Sequence, residues 1–463
     1  MAFMKPFFLG SEDIKRYVAQ GRFVVAVYGL GGVGLAVAAV WLRHGARVIG
    51  VDVDRGKVDM IDDGEVPHPE GVVRDSVRAG LREGRFKATY DGVWASRNAD
   101  IMDVIVPLVY GSEGPDFSAL DSAVGNVAKG LSRGDVVIIE TSLPPGTTEG
   151  RVREVLEGVS GLVAGEDFGL IYSPERVMVG HAVEDIEVRY PKIVSGIGAR
   201  SLEVGEAIYS LMCRAGVVKV SSPRVAEFEK LAEGVYRDVN IALANELARL
   251  SRLLGVDFDE VIEAANSQPY SHIHRPGVGV GGLCIPVYPR LLEWVAESLG
   301  VRLELVSLAR GVNDFQPMYI SSLVAEGLSM LGSNIRGSRV ALLGDAFRGD
   351  VGVTTLTPTH VIARSLMNMG AEVVVHDPYV KRDEYLSRAG ARLSSDLRES
   401  LAGCEAVVVS TDHSIYKELS TCDILDMCSR SGVVIVDGKH VLRVERCGGR
   451  VLYTGSGRPW TRL

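Results

Sequence analysis

The chain has 463 residues, 46% of them hydrophobic and 24% charged, with 59 Asp and Glu against 50 Lys and Arg for a net charge of −9. That length predicts two to three domains, and the composition excludes disordered and collagen-like architectures. The acidic balance argues against a general nucleic-acid or membrane-surface binder, while leaving room for a local basic pocket that takes an anionic ligand.

The first ten residues carry one Lys and a short apolar patch, Phe7-Phe8-Leu9, which is too short for a signal peptide. No run of about 18 apolar residues follows, so no transmembrane helix is expected. The six Cys, at 213, 284, 404, 422, 428 and 447, include no CxxC pair. They read as reduced thiols of a cytoplasmic protein, without zinc-ligand spacing, and no metal is expected.

Phe23 to Tyr28 (FVVAVY) reads as a buried strand. Gly29-Leu30-Gly31-Gly32-Val33-Gly34 follows, then an apolar helix to Arg43 and a second strand from Ala46 to Asp52. In this βαβ unit the first Gly allows a tight turn, the second lets backbone approach a pyrophosphate, and the third allows close helix–strand packing. The helix N-terminus offers N–H groups to phosphate. Asp52 can accept hydrogen bonds from ribose hydroxyls and would repel a 2′-phosphate, so the predicted cofactor is NAD rather than NADP. Strands at 101–106 and 136–140 continue the alternation, and the first 200 or so residues read as a mostly parallel α/β sheet. The segment Glu140 to Thr147, ETSLPPGT, follows a strand and is expected on the cofactor side. Ser173-Pro174-Glu175-Arg176 follows another strand, and its charged pair suits either a surface or a site.

From Pro223 to Leu254 the periodicity becomes helical, with Leu231, Val235, Val239, Ala242, Leu243, Leu247 and Leu250 near one face. Ser222 is the expected N-cap, and Gly255 ends the helix. About 48 Å of helix suits a connector or a dimer interface. Lys230 lies on it among Glu227, Glu229 and Glu233, a pattern that by itself reads as a solvated face. Between Pro276 and Pro286, PGVGVGGLCIP places four Gly in six residues and ends on Cys284. Such a loop exposes N–H groups, and its thiol is either a nucleophile or an ordinary buried Cys. A second α/β pattern follows, with strands at 339–344, 371–377, 406–410 and 432–437 and a helix near 358–369. The expected fold is two Rossmann-like, doubly wound α/β domains joined by a long central helix and a helical middle domain. The expected boundaries are 1–205 (NAD-binding), 206–325 (central helical) and 326–463 (second α/β domain).

Seven segments in this order resemble the nucleotide-sugar 6-dehydrogenase family: GLGGVG, ETSLPPGTT, SPERV, FEKLAEGVYRDVNIALANELA, PGVGVGGLCIP, ARGVND and the second α/β domain from Gly337. PERV, YRDVNIALANE and CIPV are more similar to the UDP-N-acetylmannosamine branch than to the UDP-glucose branch. The resemblance implies NAD-dependent oxidation of a sugar C6 hydroxyl to a carboxylate through a thiohemiacetal and a thioester on Cys284. Lys230 would stabilise the oxyanion, and Glu175 would order water or act as base. Cofactor contacts are implied for Gly29, Gly31, Gly32, Val33, Gly34, Asp52, Lys57, Ser142 and Arg348. Substrate contacts are implied for Arg176, Arg237, Asn240, Tyr270, Gly279, Gly281 and Lys439, and a homodimer through the central helix is implied as well.

The sequence departs from the family pattern around the site. Gly234 stands where the family has Asn, Tyr288 where it has Asp, Leu283 where it often has His, and Tyr270 where it has an Arg that reaches the neighbouring subunit. Arg348 replaces a Lys, Thr355 an Arg, and Lys439 an Arg. Three readings follow: a UDP-N-acetylmannosamine dehydrogenase with substituted helpers, a dehydrogenase of another nucleotide sugar such as UDP-glucose, and a catalytically silent NAD- or UDP-sugar-binding paralogue.

Overall fold

A computed structural model describes residues 5–178 and 180–463. The chain forms two compact units, Met1–Ala232 and Glu233–Leu463, with the division inside the long helix Pro223–Leu254.

The first unit holds β1 (Val24–Tyr28), β2 (Arg47–Val51), β3 (Phe86–Thr89), β4 (Ile101–Val104), the small hairpin β5 (Val109–Gly111) and β6 (Gly114–Asp116), β7 (Val136–Ile139), β8 (Gly169–Tyr172), β9 (Lys192–Gly196) and β10 (Val217–Lys219). Eight of these form one sheet in the order β10-β9-β8-β7-β4-β1-β2-β3, parallel except at β8–β9. Strands covered on both faces must be apolar throughout, which is why β1 reads VVAVY and β7 reads VVII. Val25 and Val27 enter the core on one face, and Ala26 and Tyr28 the core on the other. The strand order reverses between β1 and β4, and ligands of such sheets bind beyond the carboxyl ends of strands at that point. Gly29, Ile105 and Glu140 leave β1, β4 and β7 at that edge.

The second unit contains the helices Phe258–Asn266, Tyr288–Ser298 and Glu304–Met330, and a seven-stranded sheet. Its strands are β11 (Arg339–Leu343), β12 (Glu372–His376), β13 (Arg392–Ser394), β14 (Ala406–Val409), β15 (Val433–Asp437), β16 (Val451–Gly455) and β17 (Arg458–Arg462). Their order is β13-β12-β11-β14-β15-β16-β17, parallel up to the antiparallel β17. Two Rossmann-like sheets and a helical middle are thus present, as the sequence predicts. No helix among the described residues is long and apolar enough to cross a membrane.

The long helix runs over the predicted residues. Ser222 Oγ accepts the Val225 N–H at 3.4 Å, and Gly255 closes the helix with φ +73°. Its buried face differs from the predicted apolar stripe. Leu231 and Ala242 are buried, but Leu243 and Leu250 are 47% and 53% exposed, while Asp238 and Asn245 are buried. The Asp238 carboxylate pairs with the Arg310 guanidinium and accepts from Asn313 Nδ2 at 2.8 Å, and Asn245 Nδ2 donates to Asn313 Oδ1 at 2.9 Å. ARGVND is therefore the polar partner of this helix face, and satisfied polar groups occupy positions a hydrophobicity pattern assigns to Leu.

The reading of all six Cys as reduced thiols is also corrected. Cys422 and Cys447, 25 residues apart, are joined in a disulfide with Cα atoms at 5.5 Å. Cys213, Cys404 and Cys428 are buried thiols, and Cys284 is an exposed one. The bridge links the helix Thr421–Cys428 to the approach to β16, a proximity set by the sheet order rather than by local spacing.

Candidate active site

Around GLGGVG the four glycines divide into two kinds. Gly29 has φ +98°, and a Cβ there would lie 2.4 Å from the Ile105 carbonyl oxygen. A Cβ on Gly34 would lie 1.8 Å from the Gly29 carbonyl oxygen and 3.2 Å from Ile105 Cγ2. These two clamp the turn against itself and against the end of β4. Beside Gly31 and Gly32 a Cβ would meet nothing within 4 Å, so backbone at the start of the helix Gly32–Arg43 faces open space. The N–H groups of a first helical turn have no partner within the helix, which makes this space fit a pyrophosphate. His68 Nε2 lies 2.9 Å from the Gly32 carbonyl oxygen and steadies the turn.

Asp52 is 9% exposed, and its carboxylate accepts the Leu30 N–H at 2.9 Å, the Asp54 N–H at 3.0 Å and the Lys57 ammonium at 2.8 Å. Burial raises its pKa, but Lys57 and the two amides outweigh burial and hold it below the ordinary carboxylate value. An ionised Asp52 at the end of β2 fits a ribose diol. Lys57 thus serves here as the counter-ion of Asp52. Val33 and Ser142 are partly buried in the same unit, on the helix start and on the loop after β7.

Lys230 and Glu227 overturn the solvated-face reading of their segment, because they are 8% and 0% exposed. The Glu227 carboxylate accepts the N–H groups of Gly146 and Thr148 at 2.5 and 2.8 Å and the Thr148 hydroxyl at 2.7 Å. Burial raises Glu227 to about 7 against the pull of those three donors. The loop that begins ETSLPPG is thereby pinned to the long helix. Glu175 is nearly buried and pairs with Lys192, whose ammonium also stands 3.0 Å from Glu140 Oε1. Trp41 Nε1 donates to Asp103 at 2.9 Å, and burial beside Glu140 pushes Asp103 well above the carboxylate range. Sequence reasoning missed Lys192 as the partner of Glu175. A single Lys opening a strand carries no pattern, and only the antiparallel β8–β9 pairing brings it past the carboxyl ends of β7 and β8. The Arg176 guanidinium donates to the Pro191 carbonyl, lies over the Tyr190 ring at 5.2 Å and stands 3.9 Å from Glu229.

In the second unit the exposed Cys284 sits at the head of the helix Tyr288–Ser298, where its carbonyl accepts the N–H groups of Val287 and Tyr288 at 3.0 and 2.9 Å. The preceding glycines are gripped. Asn245 Oδ1 accepts the Gly277 N–H at 3.0 Å, Gln316 Nε2 donates to the Gly277 carbonyl at 2.9 Å, and the Gly282 N–H donates to the Thr355 carbonyl at 2.9 Å. A Cβ on Gly279, which has φ +132°, would lie 2.9 Å from Pro317 Cγ, and one on Gly281 would lie 2.6 Å from Phe347 Cβ.

Gly234 and Tyr288 are a matched pair. A Cβ on Gly234 would lie 2.2 Å from Tyr288 Cδ2, so the buried phenol ring occupies the space a side chain at 234 would need. The helix-interior Gly that the sequence leaves unexplained thus has a packing reason. Asn240 is spent on backbone, donating to the His272 carbonyl at 2.6 Å and accepting the His274 N–H at 2.9 Å. Arg237 is exposed, Tyr270 is 95% exposed, and Arg348 is partly buried beside β11. Burial lowers the Lys439 ammonium, with Asp412 opposing.

Three models of the UDP-glucose/GDP-mannose dehydrogenase family match the chain: its NAD binding domain over residues 23–213, its central domain over 224–315 and its UDP binding domain over 341–444. A UDP-N-acetyl-D-mannosamine dehydrogenase of Pyrococcus horikoshii is 33% identical over 437 residues, 94% of this chain and 99% of the relative. The solved structure of a UDP-D-ManNAc dehydrogenase from Pyrococcus horikoshii superposes with TM-score 0.85 at 31% identity, covering 94% of this chain and 99% of the other. That of an NDP-N-acetyl-D-galactosaminuronic acid dehydrogenase from Methanosarcina mazei superposes with TM-score 0.79 at 31% identity, covering 97% and 98%. With an NAD-type glycine turn and ionised Asp52 in one unit and an exposed Cys in a gripped glycine loop in the other, the chain belongs to the UDP-glucose/GDP-mannose dehydrogenase family and is an NAD-dependent UDP-sugar dehydrogenase.

Proposed function

We propose that the protein oxidises C6 of UDP-N-acetyl-D-mannosamine from alcohol to carboxylate, with Cys284 as the covalent catalyst. The observation that carries this reading is Cys284 itself, the exposed one among the four thiols, at the head of a helix and in a loop fixed by hydrogen bonds. Bound NAD supplies the hydride acceptor in each of two turns. The C6 alcohol loses a hydride and a proton to become an aldehyde, and the Cys284 sulfur adds to that carbon as a thiohemiacetal. Loss of a second hydride from that carbon, to a second NAD, and of the hydroxyl proton leaves a thioester, and water cleaves it to the carboxylate and the thiol. Lys230 stabilises oxyanion character at C6, and Glu175, with Lys192 as its counter-ion, orders the water or takes its proton. Arg176, Arg237, Asn240, Tyr270, Gly279, Gly281 and Lys439 are assigned to the substrate side, directly or by shaping the loops that hold it; Arg348 is assigned to the cofactor. The 1–205, 206–325 and 326–463 segments serve as cofactor, central and UDP-sugar domains.

A homodimer is part of the proposal. Tyr236, Leu243 and Leu250 are exposed at seven-residue spacing on the long helix, and Leu305, Leu308 and Phe315 are exposed on the helix Glu304–Met330. Apolar stripes of this kind favour a second copy.

The test follows NADH and uronate with NAD and UDP-N-acetylmannosamine. Two NADH per uronate are expected. A second reading, a different nucleotide sugar, is favoured by the Gly234–Tyr288 pair, which places an aromatic ring where the family carries two polar side chains. Turnover of another UDP-sugar but not this one would select it. Ligand-induced stabilisation without NADH would select a silent binder.

A further inference from the structure

Three side chains from three separate segments of the second unit converge. Asp345 lies just beyond β11, His360 is in the first turn of the helix Pro358–Asn368, and Asp383 is the N-cap of the helix Glu384–Ala389. One ligand-type atom from each lies within 4.8 Å of the others. His360 Nε2 stands 3.4 Å from Asp345 Oδ1 and 3.2 Å from Asp383 Oδ2. Asp383 Oδ1 accepts the Leu386 N–H at 2.9 Å, which turns Oδ2 toward His360. The imidazole stacks on the Tyr385 ring with centroids 4.3 Å apart, which fixes its plane. Asp345 is 0% exposed; its Oδ1 has the His360 imidazole at 3.4 Å, and its Oδ2 has no hydrogen-bond partner. A fully buried carboxylate with an unpartnered oxygen is costly unless a proton or a cation compensates it.

We infer that Asp345, His360 and Asp383 bind one divalent ion of the zinc class. Zinc takes imidazole nitrogen and carboxylate oxygen at roughly 2.0–2.2 Å, which puts neighbouring ligand atoms about 3.4 Å apart in a tetrahedron and about 3.0 Å apart in an octahedron. Of the separations from His360, 3.4 Å matches the tetrahedral spacing and 3.2 Å lies between the two. The imidazole disfavours magnesium and calcium, which take oxygen ligands. His360 is partly exposed, which leaves a side for water as the fourth ligand. The ion ties together the two ends of the 345–360 segment, whose Phe347 and Thr355 pack against and bond Gly281 and Gly282. Its role is to brace the backing of the Cys284 loop rather than to react.

The test uses full-length protein carrying Cys284→Ser, which removes the exposed thiol as a competing ligand. The protein is stripped with a chelator, equilibrated with zinc, desalted and assayed for bound metal. One zinc per chain and a raised thermal midpoint are expected. Cobalt(II) in place of zinc should give the intense visible absorption of a four-coordinate site. His360→Ala should weaken zinc binding by on the order of 100-fold. Asp383→Asn keeps a competent N-cap, so the fold stays intact, and it should weaken zinc by at least about 10-fold. Failure of the stripped protein to take up zinc overturns the site, and so does zinc bound equally by His360→Ala and Asp383→Asn with unchanged circular dichroism.

Discussion

The two glycine loops of this protein use the same residue for opposite ends. In the loop at 29–34, Gly31 and Gly32 face open space, and the missing side chains leave room for a ligand. In the loop at 276–286, Gly279, Gly281 and Gly282 are pressed by Pro317, Phe347 and Pro358, and the missing side chains leave room for protein. The first loop offers its backbone; the second is backed by the rest of its unit so that one side chain, Cys284, is presented. Glycine content alone therefore does not identify a phosphate loop. What stands next to each Cα does.

The comparison breaks most sharply at the thiol. Cys284→Ser should cut uronate formation by at least ~10³-fold with NAD binding retained, because the nucleophile is lost while the first loop is untouched. A Cys284→Ser enzyme that still made uronate would refute the covalent scheme. Next come the packed glycines. Gly281→Ala should lower stability by about 3 kcal/mol, since a Cβ would overlap Phe347, whereas Gly31→Ala should stay within about 1 kcal/mol and instead weaken NAD. Equal effects of the two on the denaturant midpoint would erase the distinction. Gly234→Asn should cost about 2 kcal/mol by clashing with Tyr288, and Tyr288→Ala should recover part of that in the double variant. Additive losses would show that the two positions are independent.

A different kind of effect concerns pH. Folding raises Glu227 from the ordinary glutamate range to about 7, so the folded state binds more protons than the unfolded state between those values. Stability contributed by this group therefore falls as pH rises from about 4.3 toward 7. Glu227→Gln should flatten that slope in denaturant melts taken across the window; an unchanged slope would assign it to other groups.

Much of this was open to a reading of residues in order. Strand runs such as VVAVY, the glycine turn with Asp52 at the next strand end, and the long helix from Ser222 to Gly255 depend on neighbours within one or two turns, and sequence order records those neighbours directly. The buried face of that helix was misread. Asp238 and Asn245 are admitted to the interior by Arg310 and Asn313, which lie about seventy residues away. The Cys422–Cys447 bridge, the partner of Glu175 and the reason for Gly234 are of the same kind. So is the Asp345–His360–Asp383 cluster, which has no spacing that marks it. The sequence by itself determined the two Rossmann-like sheets, the central helix and the identity of the nucleotide turn, because local periodicity and turn chemistry are written in adjacent residues. Only the tertiary structure decided which polar groups are buried and which glycines make room for a ligand or for protein, because those depend on segments that meet through sheet order.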